Sequence, residues 1–218
     1  MADAEAGAVA SGRPVAETPV AEMPGWQAAR RNRIVEAALG ALERQEYERI
    51  RIGEVARAAG VALGTLYRYF SSKEHLYAAV LQAWLDSGRR PRGRTASRTP
   101  EERVRARVRA AISAFERRPQ FFKVTVLLQG STDPNARLLL AEFATSSRAM
   151  LAEEFAVLGP DADDAATMLW SIIHSNLTAA LYHGHDMSEV YRIADRFIDL
   201  LADRLAAPEP GHRRVPGA

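Results

Sequence analysis

The residues best placed to do chemistry lie between Arg51 and Lys73. Gly60-Val61-Ala62 separates two short segments, Ile52 to Ala59 and Leu63 to Phe70, each with apolar residues at helical spacing. Gly60 permits a tight turn, because glycine reaches positive φ without a Cβ clash. Val61 is expected to bury at the junction, and Leu66 and Phe70 to anchor the second segment from below. Thr65 and Arg68 then lie on the opposite face. A helix with small, polar and aromatic groups on one side fits a DNA major groove about 12 Å wide. Gly64 lets the backbone approach closely. Thr65 and Tyr67 carry hydroxyls suited to phosphate oxygens, and Lys73 stands at the start of the next helix, where its amine can reach another phosphate. Spacing alone predicts a helix-turn-helix, a pattern that ordinary helical hairpins share.

Nothing comparable points to catalysis. The chain has no Gly-x-Ser-x-Gly elbow, Gly-x-Gly-x-x-Gly fingerprint, Walker loop or His-Glu-x-x-His. Carboxylate pairs such as Glu153-Glu154 and Asp163-Asp164 sit on helix surfaces. With no cysteine, disulfides, thiolate metal sites and thiol nucleophiles are excluded. His183-Gly184-His185-Asp186 lacks the three or four convergent ligands a metal needs, so it reads as a polar loop. The expectation is no catalytic residue, no metal and no cofactor.

Charge supports a polyanion partner. Of 218 residues, 29 are basic and 27 acidic, a net of +2, but residues 26–98 alone carry 14 basic and 7 acidic groups. Residues 1–25 and 99–218 are both net acidic. A basic third joined to a neutral remainder suits a nucleic-acid module with a second unit attached; a solvated basic face is the plainer alternative.

The elements that must position these residues read as helices throughout. Residues 1–25 are rich in Ala, Glu, Gly and Pro and read as a disordered arm without a signal-peptide pattern. Apolar residues recur at helical spacing over about 26–45, 52–59, 63–70 and from Ser71 or Ser72 to about 88. Residues 89–99, with five arginines and no apolar face, read as a flexible basic linker. Pro100-Glu101-Glu102 opens a helix whose stripe is Val104, Val108, Ala111, Ile112 and Phe115. Arg103, Arg105, Arg107 and Arg109 spread around it as a solvated surface. Further helices are expected from Pro119 to Leu128, from Pro134 to near Leu158, and over about 163–183 and 187–206, with a loose tail at 207–218. No stretch alternates like a strand, and no apolar run reaches the roughly 20 residues of a membrane span. The fold class is all-α with about nine helices.

Arg51 to Leu76 closely resembles the DNA-binding segment of TetR-family transcription regulators. The run Gly-Val-Ala-Leu-Gly-Thr-Leu-Tyr-Arg-Tyr-Phe-Ser-Ser-Lys-Glu-His-Leu carries the likeness. The resemblance implies a homodimer with a three-helix head at 26–88 and an effector-binding and dimerisation body at 100–206. It places Leu63, Gly64, Thr65 and Arg68 toward base edges or the groove floor, and Tyr67, Lys73 and Arg51 on phosphates. Position 62, commonly a capping Ser in the family, is Ala here, which forgoes about 0.5–2 kcal/mol of helix capping. A narrower resemblance, to repressors of actinobacterial steroid degradation, rests on the same run, on Arg117-Arg118-Pro119-Gln120 and on Ser175-Asn176-Leu177.

The expected function is a ligand-responsive transcriptional regulator, a repressor, that binds a palindromic operator in double-stranded DNA as a homodimer. An apolar small molecule would release it. The alternative is a ligand-independent architectural DNA-binding protein, with an enzyme ranked third. Phe115, Phe121, Phe122, Phe143, Met150, Trp170 and His174 are the candidate pocket, although aromatics at helical spacing also serve as plain core. Leu177 and Leu181, with Val190, Ala194, Phe197 and Leu201, are the candidate dimer interface of a four-helix bundle. No membrane partner is expected, and the expected location is cytoplasmic, on the nucleoid when DNA-bound.

Overall fold

A computed structural model describes residues 23–89 and 99–206. The expected N-terminal arm up to residue 22, most of the linker and the tail from 207 lie outside the described residues. Within them the chain forms α-helices, two 3-10 turns and no strand. The head comprises α1 (Gly25–Arg44), a 3-10 turn (Tyr47–Arg49), α2 (Ile52–Ala58), α3 (Leu63–Tyr69) and the start of α4 (Lys73–Arg89). The body comprises α5 (Pro100–Arg117), α6 (Pro119–Leu128), α7 (Pro134–Glu154), a 3-10 segment (Ala156–Asp161), α8 (Ala162–His183), α9 (Met187–Asp199) and α10 (Ala202–Leu205).

Local chemistry sets most helix starts. Ser72 Oγ accepts the His75 N–H at 2.9 Å and opens α4. Thr99 and Glu102 form a reciprocal capping box at α5. Asp133 caps α7, and Asp186 caps α9 by accepting the Ser188 N–H at 2.8 Å. Asp186, part of the sequence stretch weighed for metal binding, thus serves as a cap. Proline stands at the first turn of α5, α6 and α7, where its missing N–H costs nothing.

Two helix ends differ from the sequence expectation. The helix from Pro134 stops at Glu154, and a 3-10 segment continues through Gly159, at φ 60°, and Pro160. The last helix breaks at Leu200-Leu201, where Leu201 has φ −104° and ψ 0°. No glycine or proline marks that break. It turns α10 onto the 3-10 segment, where Leu205 is fully buried, so tertiary packing overrides the local pattern.

α4 joins head to body. In the head it packs against α1, burying Leu76, Tyr77 and Val80 with Ile34, Ala38 and Leu42. Along the body it packs against α7, the most extensive helix pair among the described residues. The stripe Val104, Val108, Ile112 and Phe115 faces the interior as its spacing predicts. The α5 arginines lie at the solvated surface and are also ion-paired there. Arg105 meets Glu101 at 2.8 Å, Asp195 at 3.1 Å and Asp199 at 2.7 Å, and Arg109 also binds Asp195. Arg107 meets Glu154 at 3.1 Å, with Arg103 at 3.8 Å from the same carboxylate. α5 lies between α7 and α9, so arginines on its two flanks meet acids from both. No helix of the described residues is long and apolar enough to cross a membrane.

Candidate nucleic-acid interface

The geometry of α3 follows from the turn before it. Gly60 sits at φ 66°, a left-handed conformation that would strain a side-chain-bearing residue by about 1–2 kcal/mol. The Val61 N–H then donates to the Ala56 carbonyl at 3.0 Å, ending α2, and Ala62 turns back to extended backbone. The Thr65 and Leu66 N–H groups both donate to the Ala62 carbonyl, which starts α3. No side chain caps this start, as Ala62 implies.

α3 divides cleanly into two faces. Leu66 and the following Phe70 are fully buried, with the His75 ring edge-on to Phe70 at 5.3 Å and the Arg31 guanidinium 5.1 Å from it. Leu63 and Tyr67 are 46% and 49% exposed despite being large and apolar or aromatic. Gly64 and Arg68 are exposed beside them, and Thr65 is half-buried at the edge. A Cβ at Gly64 would meet nothing within 4 Å, so the protein's own packing does not require glycine there. Arg51, at the N-terminus of α2, is also exposed.

Lys73, expected to hold a phosphate, is bonded inward in the structure. Its ammonium turns inward, donating to the Tyr47 carbonyl at 2.5 Å and lying 4.1 Å from the centre of the Tyr47 ring. Burial pushes its pKa down, partly offset by Glu48 and Glu74. The carbonyl and the ring belong to the 3-10 turn before α2, a partner that spacing around Lys73 does not reveal. The phenol of Tyr47 is itself pushed up by burial, then by Glu74 and Glu48.

Four of the seven candidate pocket residues lie in the core. Phe115, Phe121, Phe122 and Phe143 are buried. Trp84, from α4, stacks against Phe115 at 5.0 Å and Phe121 at 4.9 Å. Phe115 meets Phe122 at 5.5 Å, and Phe122 meets His174 at 5.2 Å. His174, whose pKa burial pushes down, also lies 3.1 Å from the Gln129 amide. Met150 and Trp170 are half-buried on α7 and α8. Two open clefts of about 470 and 450 Å³ occur elsewhere, one between α5 and α9 and one between the Tyr47–Arg49 turn, α6 and the end of α8. None of the seven candidates lines either.

The dimer candidates also divide. Leu177, Val190 and Ala194 are buried within the subunit against its own helices. Leu181, Phe197 and Leu201 are partly buried. On α8 and α9 the large hydrophobic residues left exposed are Met168, Tyr182 and, at the end of α9, Leu200. Periodicity marks the apolar stripe of a helix but not what covers it, and Leu177, Val190 and Ala194 are covered by the subunit's own helices.

Similarity to known proteins agrees with this geometry. Residues 34–80 match the family described as bacterial regulatory proteins, tetR family. The chain is 29% identical over 181 residues to the HTH-type transcriptional repressor KstR of Rhodococcus jostii, covering 80% of this chain and 84% of that protein. KstR of Mycolicibacterium smegmatis is 37% identical over 95 residues, a match that covers 43% of this chain and 47% of that protein. The HTH-type transcriptional regulator BetI of Rhizobium meliloti is 31% identical over 145 residues, covering 65% of this chain and 71% of its own. A TetR transcriptional regulator from Rhodococcus sp. RHA1 superposes with a TM-score of 0.67 at 28% identity, over 83% of this chain and 99% of that one. With its all-α fold and its helix-turn-helix, this chain belongs to the TetR family of transcriptional regulators.

Proposed function

We propose that this protein is a transcriptional repressor that binds a palindromic operator as a homodimer and is released by an apolar small molecule. The observation that carries the reading is the outward face of α3. Leu63, Gly64, Tyr67 and Arg68 lie exposed on a helix anchored beneath by Leu66 and Phe70. Arg68 and Thr65 are assigned to base edges, and Leu63 and Gly64 to close groove contact. Tyr67 and Arg51 are assigned to phosphates. Lys73 joins them only by leaving Tyr47.

The dimer face is assigned to the exposed stripe of α8 and α9, with Met168, Tyr182 and Leu200 beside the partly buried Leu181, Phe197 and Leu201. Domain roles follow: residues 26–88 bind DNA, and 100–206 dimerise and receive the effector. A non-enzymatic role is the reading consistent with regulator relatives.

The test is selection of duplexes from genomic DNA. Recovered sites should be palindromic, with half-sites about one helical turn, or a multiple of it, apart. Affinity should fall steeply as salt rises, because each phosphate contact releases condensed counterions with a slope of about −0.9 per contact. Failure to retain any duplex, or insensitivity to salt, would overturn the reading.

Release is expected from lipid-like acids or their coenzyme A esters, steroid-derived ones included, on the strength of the resemblance. Such a ligand must part the packed rings of Trp84, Phe115, Phe121 and Phe122. Moving a 1:99 balance to 99:1 takes about 5.5 kcal/mol of preference for the released shape. Adding these compounds to the operator complex at increasing concentration should free the DNA. The packed ring cluster favours the second reading, a ligand-independent binder, and a complex indifferent to every such compound would select it.

A further inference from the structure

The turn that leaves α3 is bonded to the body. Ser71 follows the last residue of α3 by two positions. Its hydroxyl donates to Asp133 Oδ2 at 2.7 Å and accepts from Asn135 Nδ2 at 3.2 Å. Its backbone N–H donates to Nδ1 of the buried His75 at 3.1 Å. Nδ1 is thereby occupied as an acceptor, which leaves the hydroxyl proton for Asp133. The other carboxylate oxygen caps α7, accepting the N–H groups of Asn135 at 2.8 Å and Ala136 at 3.1 Å. One side chain therefore ties two elements 62 residues apart. Partial burial pushes the Asp133 carboxyl up, but hydrogen bonds from Ser72, Ser71, Ala136 and Asn135 outweigh it and hold it below the usual range.

α7 carries this bond into the body. Gln82 of α4 donates to the Leu139 carbonyl of α7 at 2.9 Å. Further along, α7 buries Phe143 and Leu151, and Glu154 at its end is held by Arg107 of α5. A single 21-residue helix thus runs from the exit of α3 to the helices around the aromatic cluster. α3 has little else to fix its tilt, since Leu66 is its one buried residue and Phe70 its buried C-cap.

We propose that Asp133 is a positioning residue for the recognition helix, and that displacement of α7 reaches the DNA by breaking the Asp133–Ser71 bond. This rests on the DNA-binding reading above and deepens it. A charge-assisted hydrogen bond at the exit of a short helix limits how far that helix can rotate out of the groove.

Four full-chain variants test it on a duplex selected by the wild type. Asp133→Ser keeps a capping residue of equal quality but is too short to cap α7 and reach Ser71 together. Ser71→Ala removes the donor. Each should weaken operator binding about five- to tenfold, a part of what one hydrogen bond to a charged group is worth. Melting temperatures should stay within about 2 °C of wild type, since the cap and core are retained. The double variant should bind no more weakly than either single one. Asp133→Asn, whose single oxygen caps α7 while its amide nitrogen can only donate to Ser71 Oγ, keeps a weaker neutral link and should lose less affinity than Asp133→Ser.

Additive effects, or both single variants within twofold of wild type, would overturn the proposal. So would weakening by Ser71→Ala alone, which would make Ser71 a direct phosphate contact. A wild type that retains no duplex would instead overturn the DNA-binding reading itself, and this proposal with it.

Discussion

Leu200→Asp and Met168→Lys should each turn the protein into a monomer and lower operator affinity by about two orders of magnitude or more. Leu200 is 70% exposed and Met168 56%, so a charge at either costs the isolated subunit little, within about 0.5 kcal/mol for an ordinary surface site. Across a two-fold axis the same substitution enters the interface twice, and each charge must be stripped of water against an apolar neighbour. Losing the second head removes its effective concentration at the second half-site, which is worth about 10²–10⁴ in affinity. Phe197→Lys is a poorer test, because Phe197 packs partly against the subunit's own core. Val190 and Ala194 are poorer still, since both are 1% exposed and a charge there would unfold α9 before it separated subunits. Sedimentation velocity gives the mass, and binding to the selected duplex gives the affinity. Persistent dimers, or monomers with full affinity, would remove α8 and α9 from the interface.

What could be read without coordinates was what short-range chemistry decides. Pro100-Glu101-Glu102, Pro119 and Pro134 mark helix starts because a first turn involves only the next few residues, and the caps Thr99, Asp133 and Asp186, equally local, emerge with the structure. The inward set of α3 was legible because Leu66 and Phe70 are four residues apart and only one helix face can hold both. The break at Leu200-Leu201 was not, since neither residue disfavours a helix and the cause is the distant burial of Leu205. Lys73 read as a phosphate ligand until Tyr47, 26 residues earlier, supplied a carbonyl and a ring. The aromatics at 115, 121 and 122 were identified as interior, but spacing does not distinguish rings that surround a space from rings that fill one. Trp84 on α4 completes their packing. The Asp133–Ser71 bond has the same character: its cap half is a local signal, and its other half depends on the fold.

Arg68→Ala should cost the selected operator about 1–3 kcal/mol, or roughly five- to 150-fold, and should relax base preference at one position of each half-site. The side chain is exposed in the last turn of α3 and no neighbour requires it for folding, so melting should hardly move. A guanidinium on a groove-facing helix can pair with both acceptors of a guanine edge, and without it the remaining contacts no longer separate guanine from the other bases. Tyr67→Phe provides the contrast. It keeps the ring, removes only the hydroxyl, and should weaken every duplex by a similar factor of about two- to tenfold, because a phosphate oxygen carries no sequence information. Neutral Tyr67 releases no counterion, so the salt slope should be unchanged in that variant, whereas a phosphate-bound arginine would lower it by about 0.9. The two signatures are opposed: altered preference for Arg68, uniform loss for Tyr67. Uniform loss with a lowered salt slope on Arg68→Ala would reassign Arg68 to the backbone and leave sequence reading to Thr65, Leu63 and the groove shape. An unchanged affinity would exclude the outward face of α3 from the DNA contact altogether.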